Sequence, residues 1–169
     1  GNKYFSALDV RHGYHHVAIR PEDRHKTAFI CHRGLFQWTR MAFGFVNAPA
    51  TFQRAMDWIF RDLDYVIVYV DDILILSKTE EQHMEHLRVV FELLERYNLK
   101  LRIGKCHFFQ TELKYLGFLL NGEGVRADPD FVKEIWNLPA PAVNEIVPKK
   151  RILRMIGMIN WLRRYIPRL

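Results

Sequence analysis

An α+β fold is predicted here, an antiparallel sheet with packed helices followed by a basic C-terminal helix, and three features of the sequence point to it. Aromatic and β-branched runs come in pairs around short turn signals, as hairpins do. Apolar residues recur at helical spacing in several separate stretches. Strand and helix signals do not alternate regularly, which argues against parallel βαβ architectures.

Tyr4–Val10 and Tyr14–Ile19 read as strands from their aromatic and β-branched content. Thr27–His32 and Leu35–Thr39 flank Arg33-Gly34 as a hairpin. Asn47 and Pro49 then open a helix, with Asn47 as its cap and Phe52, Met56, Ile59, Phe60 and Leu63 as its apolar face. Tyr65–Val70 and Ile73–Leu76 form two strands joined by the two-residue turn Asp71-Asp72. Thr79 and Gln82 are spaced as a capping box for a helix carrying Met84, Leu87, Phe91 and Leu94, which Asn98 ends. Leu113–Leu120 and Val125 flank the turn signal Asn121-Gly122, and Asp128-Pro129 caps a short helix reaching Trp136. Residues 138–148 contain Pro139, Pro141 and Pro148 and read as a linker. A last helix carries Ile152, Met155, Ile156, Ile159 and Leu162 as a stripe.

The 169 residues are 49% apolar and 26% charged, enough to build a core and too apolar for wholesale disorder. Cys31 and Cys106 form no C-x-x-C pair, which argues against a disulfide scaffold and a cysteine-zinc site. His12, His15 and His16 cluster, and His32 and His107 each follow a cysteine, but no standard zinc spacing results. The longest apolar run, Tyr65–Val70, is far too short for a membrane span. With no basic-then-apolar leader, an intracellular protein without a membrane partner is expected. The net charge of +6 resides in the tail. Lys149, Lys150, Arg151, Arg154, Arg163, Arg164 and Arg168 meet no acidic residue there, whereas residues 1–148 hold 18 basic and 19 acidic side chains. A basic face of this kind suits a polyanionic partner.

Asp71-Asp72 is the most informative pair. Aspartate is a common turn former, but a two-residue hairpin turn ordinarily uses glycine or asparagine where φ is positive. Adjacent carboxylates repel, and beside a buried sheet they are costly without a compensating cation. Asp9 interrupts the apolar strand Phe5-Ser6-Ala7-Leu8-Asp9-Val10 and reads either as an ordinary strand-end residue or as a third carboxylate. If its strand lies beside the hairpin, three carboxylates converge, a donor set suited to Mg²⁺ and to phosphoryl transfer.

Tyr69-Val-Asp-Asp72, together with Phe5-Ser-Ala-Leu-Asp-Val-Arg-His-Gly-Tyr14, closely resembles the reverse transcriptases of gypsy-type LTR retrotransposons and retroviral Pol proteins. The resemblance continues in order through Lys26-Thr-Ala-Phe29, Met41-Ala-Phe-Gly-Phe-Val-Asn-Ala-Pro-Ala-Thr-Phe-Gln53 and Lys105-Cys-His-Phe-Phe109. It ends with Tyr115-Leu-Gly-Phe118 and Trp161-Leu-Arg-Arg-Tyr-Ile-Pro167. It implies a polymerase palm over 1–137, a proline-rich linker over 138–148 and the start of a thumb over 149–169. The implied activity is RNA-directed DNA synthesis by two-metal nucleotidyl transfer from a deoxynucleoside triphosphate to a primer 3′-hydroxyl.

By that resemblance Asp9, Asp71 and Asp72 would hold two Mg²⁺ ions, for which Mn²⁺ can substitute, with Val10 lending a carbonyl. Tyr14 would be the aromatic gate against a 2′-hydroxyl, the competing reading being a core aromatic. Phe43, Gly44 and Asn47 would lie at the incoming nucleotide, and Pro49, Gln53 and Tyr69 at template and primer. Tyr115, Leu116 and Gly117 would grip the primer end. Lys105 would protonate pyrophosphate, with Lys100 and Lys114 as alternatives and an ordinary surface lysine as the plainer reading. Arg151, Arg154, Arg163 and Arg164 would contact phosphates. An RNA template, a DNA primer and the remainder of a Pol polyprotein (fingers, ribonuclease H, integrase) are the implied partners. The implied location is cytoplasm, nucleus or virus-like particles.

The chain departs from the family pattern in reading Met41-Ala42 for the usual Met-Pro, in His12 and His16, and in a longer stretch before the last helix. It opens at the first palm strand, so little activity is expected of it alone. Two other functions share these features: a non-catalytic nucleic-acid-binding remnant, and a palm-type RNA polymerase or nucleotide cyclase, which Tyr14 disfavours.

Overall fold

The computed structural model describes residues 1–138 and 147–166. They form two compact units, Gly1–Thr111 and Glu112–Leu169.

The first unit is organised by a four-stranded antiparallel sheet. Strand β1 (Tyr4–Asp9) is followed by the small hairpin β2 (Phe29–Cys31) and β3 (Gly34–Phe36), then helix α1 (Ala48–Phe60). Strands β4 (Val66–Tyr69) and β5 (Asp72–Ser77), helix α2 (Glu80–Arg96) and strand β6 (His107–Gln110) complete it. The sheet order is β4-β5-β1-β6, so the two strands bearing the carboxylates are central neighbours. Leu8, Ile73 and Ile75 from the sheet pack with Phe52, Met56 and Phe60 of α1 and Leu87, Val90 and Leu94 of α2. Each such buried side chain contributes roughly 1.5–3 kcal/mol by leaving water. The β2–β3 hairpin, by contrast, is exposed along its whole length.

Several expectations are corrected. Residues 14–19 are not a strand: Gly13–His16 forms a 3₁₀ turn entered through His12 at φ 51°, and only Ala18 makes an isolated bridge, to Arg40. Asn47 occupies the N-cap of α1 without a capping side-chain bond; its carbonyl accepts from Thr51 N–H at 2.9 Å instead. The capping box of α2 forms, with Thr79 Oγ1 accepting from Gln82 N–H at 3.2 Å. Its buried face, however, is made by His83, His86, Leu87, Val90 and Leu94, while Met84 and Phe91 are exposed. Asn98, at φ 54°, follows the end of the helix.

The histidines are accommodated by hydrogen bonding. His86 Nδ1 donates to the Leu76 carbonyl at 3.0 Å, and the Ser77 hydroxyl lies 2.8 Å from that nitrogen and 2.7 Å from His83 Nδ1. His83 Nε2 is 2.7 Å from the Ser6 hydroxyl, which also accepts from Phe109 N–H at 3.1 Å. One buried polar chain therefore ties α2 to β5, β1 and β6.

The second unit carries strands β7 (Glu112–Tyr115), β8 (Phe118–Asn121) and β9 (Gly124–Ala127) as an antiparallel meander, then helices α3 (Pro129–Trp136) and α4 (Lys149–Trp161). Leu113–Leu120 is thus two strands and not one. The break falls at Leu116-Gly117, both left-handed at φ 50° and 81°, the backbone of a tight hairpin turn. Asp128 caps α3 by accepting from Asp130 N–H at 3.1 Å. On α4 the apolar stripe is only partly covered: Ile152 and Ile156 are exposed, and Leu162, just beyond the helix, is buried. Most of the expected linker, residues 139–146, lies outside the described residues, as do 167–169.

Candidate active site

The acidic turn has the expected two residues but lies one position earlier than the sequence implies. Tyr69 pairs with Asp72 across β4 and β5, so the two turn residues are Val70 and Asp71, and Asp72 is already the first residue of β5. Val70 adopts φ 52°, a left-handed conformation that costs a non-glycine residue about 1–2 kcal/mol. Gln53 on α1 holds it there. Its Oε1 accepts the Val70 N–H at 2.6 Å, and its Nε2 donates to the Val68 carbonyl at 3.1 Å and to Asp57 Oδ1 at 2.8 Å.

Asp9 stands opposite Asp72 in the β1–β5 register, and Val10 N–H donates to the Asp71 carbonyl at 2.8 Å. Arg102 N–H donates to the Asp9 carbonyl at 2.9 Å, and its guanidinium lies 3.7 Å from Asp9 Oδ1. The sheet thus brings Asp9, Asp71 and Asp72 to one end. Asp71 is pushed up from the ordinary aspartate range by desolvation, then by Asp72 and Asp9, with Arg102 and His12 offsetting part of the effect. Asp72 is raised by desolvation and by Asp9, against the nearby charge of Lys105. His12 stood out in the sequence only as part of a histidine cluster and as a departure from the family pattern, and Arg102 was not singled out, since nothing local places it beside carboxylates so distant in the chain.

Among the described residues, no group of three or more His, Cys, Asp or Glu side chains is gathered into a ready metal-binding cluster. The donor set nevertheless fits a hard cation. Asp9 Oδ1 and Asp71 Oδ1 are buried and accept no hydrogen bond, although buried oxygens ordinarily find a donor.

Tyr14 lies beside this end of the sheet. Its ring packs 5.1 Å from Phe43 and edge-on to Phe52 at 5.8 Å, and its phenol is pushed up by desolvation and by Asp71. Phe43 is exposed, and Gly44 at φ 94° has open space where a side chain would stand. Pro49 sits in the first turn of α1, and Tyr69 is half-exposed at the end of β4. Lys105 ends a short 3₁₀ turn, Ile103–Lys105.

In the second unit, the turn Leu116-Gly117 follows Tyr115, and Trp161 of α4 fixes it by donating its indole N–H to the Leu116 carbonyl at 2.7 Å. Lys114 pairs with Asp128 at 3.3 Å and with Asp130. Arg163 and Arg164 line a cleft with Phe118, Asn160 and Trp161. Arg154 reaches Glu134 at 3.4 Å, an exposed pair of little energetic weight, and Arg151 lies in the first turn of α4.

A central antiparallel sheet with a strained acidic turn facing an aspartate on the adjacent strand agrees with what sequence comparison finds. The family "Reverse transcriptase (RNA-dependent DNA polymerase)" matches residues 1–120, and the chain belongs to that family. Among curated relatives, the retrovirus-related Pol polyprotein from transposon opus of Drosophila melanogaster is 36% identical over 166 residues, 97% of this chain and 16% of that protein. The transposon Tf2-3 polyprotein of Schizosaccharomyces pombe is 33% identical over 172 residues, 99% of this chain and 12% of that protein. The chain therefore spans less than a fifth of the relatives it matches. Among solved structures, a foamy viral protease-reverse transcriptase in complex with double-stranded DNA superposes with a TM-score of 0.85 at 27% identity, covering 99% of this chain and 29% of that one. A foamy viral protease-reverse transcriptase in complex with an RNA/DNA hybrid gives 0.79 at 27% identity, over 95% of this chain and 21% of that one. No helix among the described residues is long and apolar enough to cross a membrane.

Proposed function

We propose that this chain is the palm, with the start of the thumb, of a polymerase that copies RNA or DNA into DNA by two-metal nucleotidyl transfer. The observation carrying the reading is the juxtaposition of Asp9, Asp71 and Asp72, with two buried carboxylate oxygens that accept no hydrogen bond. The complexes of the foamy viral relatives with double-stranded DNA and with an RNA/DNA hybrid support a primer–template as the partner.

Asp9, Asp71 and Asp72 would hold two Mg²⁺ or Mn²⁺ ions, with the Val10 carbonyl as a further oxygen. When bound, such ions lower the pKa of the primer hydroxyl and neutralise charge on the leaving pyrophosphate. The protein's own work is positioning. Gln53 keeps Val70 left-handed, which holds Asp71 at the tip of the turn. Tyr14 leaves no space for a 2′-oxygen, and Phe43, Gly44 and Asn47 bound the nucleotide. Pro49 and Tyr69 border the template and primer, while Tyr115, Leu116 and Gly117 grip the primer end. Lys105 protonates pyrophosphate. Arg151, Arg154, Arg163 and Arg164 neutralise phosphates irrespective of base sequence. In this reading residues 1–137 are palm, 138–148 a linker and 149–169 thumb.

Primer extension on an RNA template tests it, using a polypeptide that carries this chain in a Pol context, with Mg²⁺ and either deoxy- or ribonucleotides. Deoxynucleotide-dependent extension that disappears in Asp71→Asn is expected. A folded, RNA-binding polypeptide that extends nothing would replace polymerase with a nucleic-acid-binding remnant.

A further inference from the structure

We infer that Gly13 is a positioning residue, a missing side chain that sets the distance between the Asp71 carboxylate and the Tyr14 ring. The inference rests on the roles proposed for Asp71 and Tyr14. Gly13 is buried in the 3₁₀ turn that follows His12. Its backbone does not demand glycine, since it is not among the residues with positive φ. Close approach demands it. A Cβ at this position would stand 2.3 Å from Asp71 Oδ1 and 2.7 Å from Cε1 and Cζ of Phe52. Phe52 is almost wholly buried, and the Asp71 backbone is held by the Val10 N–H to its carbonyl in a turn that Gln53 clamps, so the displacement falls on the Asp71 carboxylate, whose Oδ1 accepts no hydrogen bond, or on the turn that carries Tyr14.

The contact joins two functions. Phe52, the ring a Cβ would strike, is also the ring against which Tyr14 packs edge-on at 5.8 Å. Any side chain at position 13 must lift the turn carrying Tyr14, displace the carboxylate, or both. Glycine therefore lets the gate and the acidic turn close on each other through a single layer of atoms. Gly13→Ala is the smallest change that separates them.

A double-mutant cycle on the chain itself, read by thermal unfolding, tests the contact without metal or nucleotide. Gly13→Ala is expected to lower Tm by about 4 °C or more, and the loss should shrink by at least about half in an Asp71→Ala background, where the obstructing oxygens are gone. Equal losses in the two backgrounds would overturn the inference. If Gly13→Ala does not fold, recovery of folding in the double variant takes the place of the Tm difference, and failure to recover overturns it equally. The second readout is nucleotide selection in an active Pol polypeptide: Gly13→Ala should weaken the preference for deoxy- over ribonucleotides about tenfold. An unchanged preference would overturn the coupling to Tyr14. A parent polypeptide that synthesises nothing would sink the polymerase reading instead, and the melting cycle would still decide the role of Gly13.

Discussion

Val70 is a β-branched residue in a left-handed backbone, and one amide side chain keeps it there. Replacing Gln53 with Ala leaves the part-buried Val70 N–H without its partner, a cost of about 1–3 kcal/mol. Thermal unfolding of Gln53→Ala should show that loss, and Val70→Gly in the same background should recover part of it. The sequence suggested Gln53 as a template contact; that its amide braces the turn was not legible, because nothing local links position 53 to position 70. The carboxylates themselves were legible, since two adjacent aspartates after an apolar run are anomalous in water-poor surroundings. Their titration has a definite sign. Both Asp71 and Asp72 have folded values raised above the ordinary aspartate value, so their charging weakens the fold as pH rises through the raised values. The chain gains this stability back on acidification, and it is complete below the ordinary value of 3.8. Asp71→Asn should therefore melt higher than the parent at neutral pH, and added Mg²⁺ should raise the Tm of the parent more than that of the variant.

At the scale of elements, α2 shows where pattern reading stops. Its period was legible and its cap formed, but the face it buries holds His83 and His86 where Met84 and Phe91 were expected. Hydropathy ranks histidine as polar; of the two hydroxyls that make burial tolerable, Ser77 lies six residues before His83 but carries no pattern that marks it as a partner, and Ser6 comes from β1, which no local window contains. The strand expected at 14–19 failed for a related reason, because the 3₁₀ turn there is decided by what Gly13 and Tyr14 meet on α1 and in the acidic turn. The His83 ring is held below its ordinary value by burial and then by His86. A histidine with a lowered folded value stabilises above its ordinary value of 6.5 and loses that contribution as pH falls toward the folded one. Unfolding profiles from neutral pH down to about pH 5 should fall for the parent and be flatter for His83→Gln. An equally steep fall in the variant would place the titrating group elsewhere.

Over the whole chain, charge is unevenly spread: residues 1–148 are nearly balanced, with 18 basic and 19 acidic side chains, and the last stretch carries seven positive side chains without a negative one. Changing Arg151 and Arg154 together to Glu should weaken duplex binding at low salt and reduce the salt slope by roughly one per lost phosphate contact. A slope equal to the parent's would leave those arginines facing solvent. Asp9 and Asp72 meet only because β1 lies against β5, and the exposed hairpin β2–β3 on the path between them contributes nothing to the core. A chain cut between Arg33 and Gly34 is therefore expected to reassemble from its two pieces through the β1–β5 pairing, which co-purification of the pieces and recovery of the parent's melting transition would check; pieces that stay apart and unfolded would make continuity through the hairpin essential.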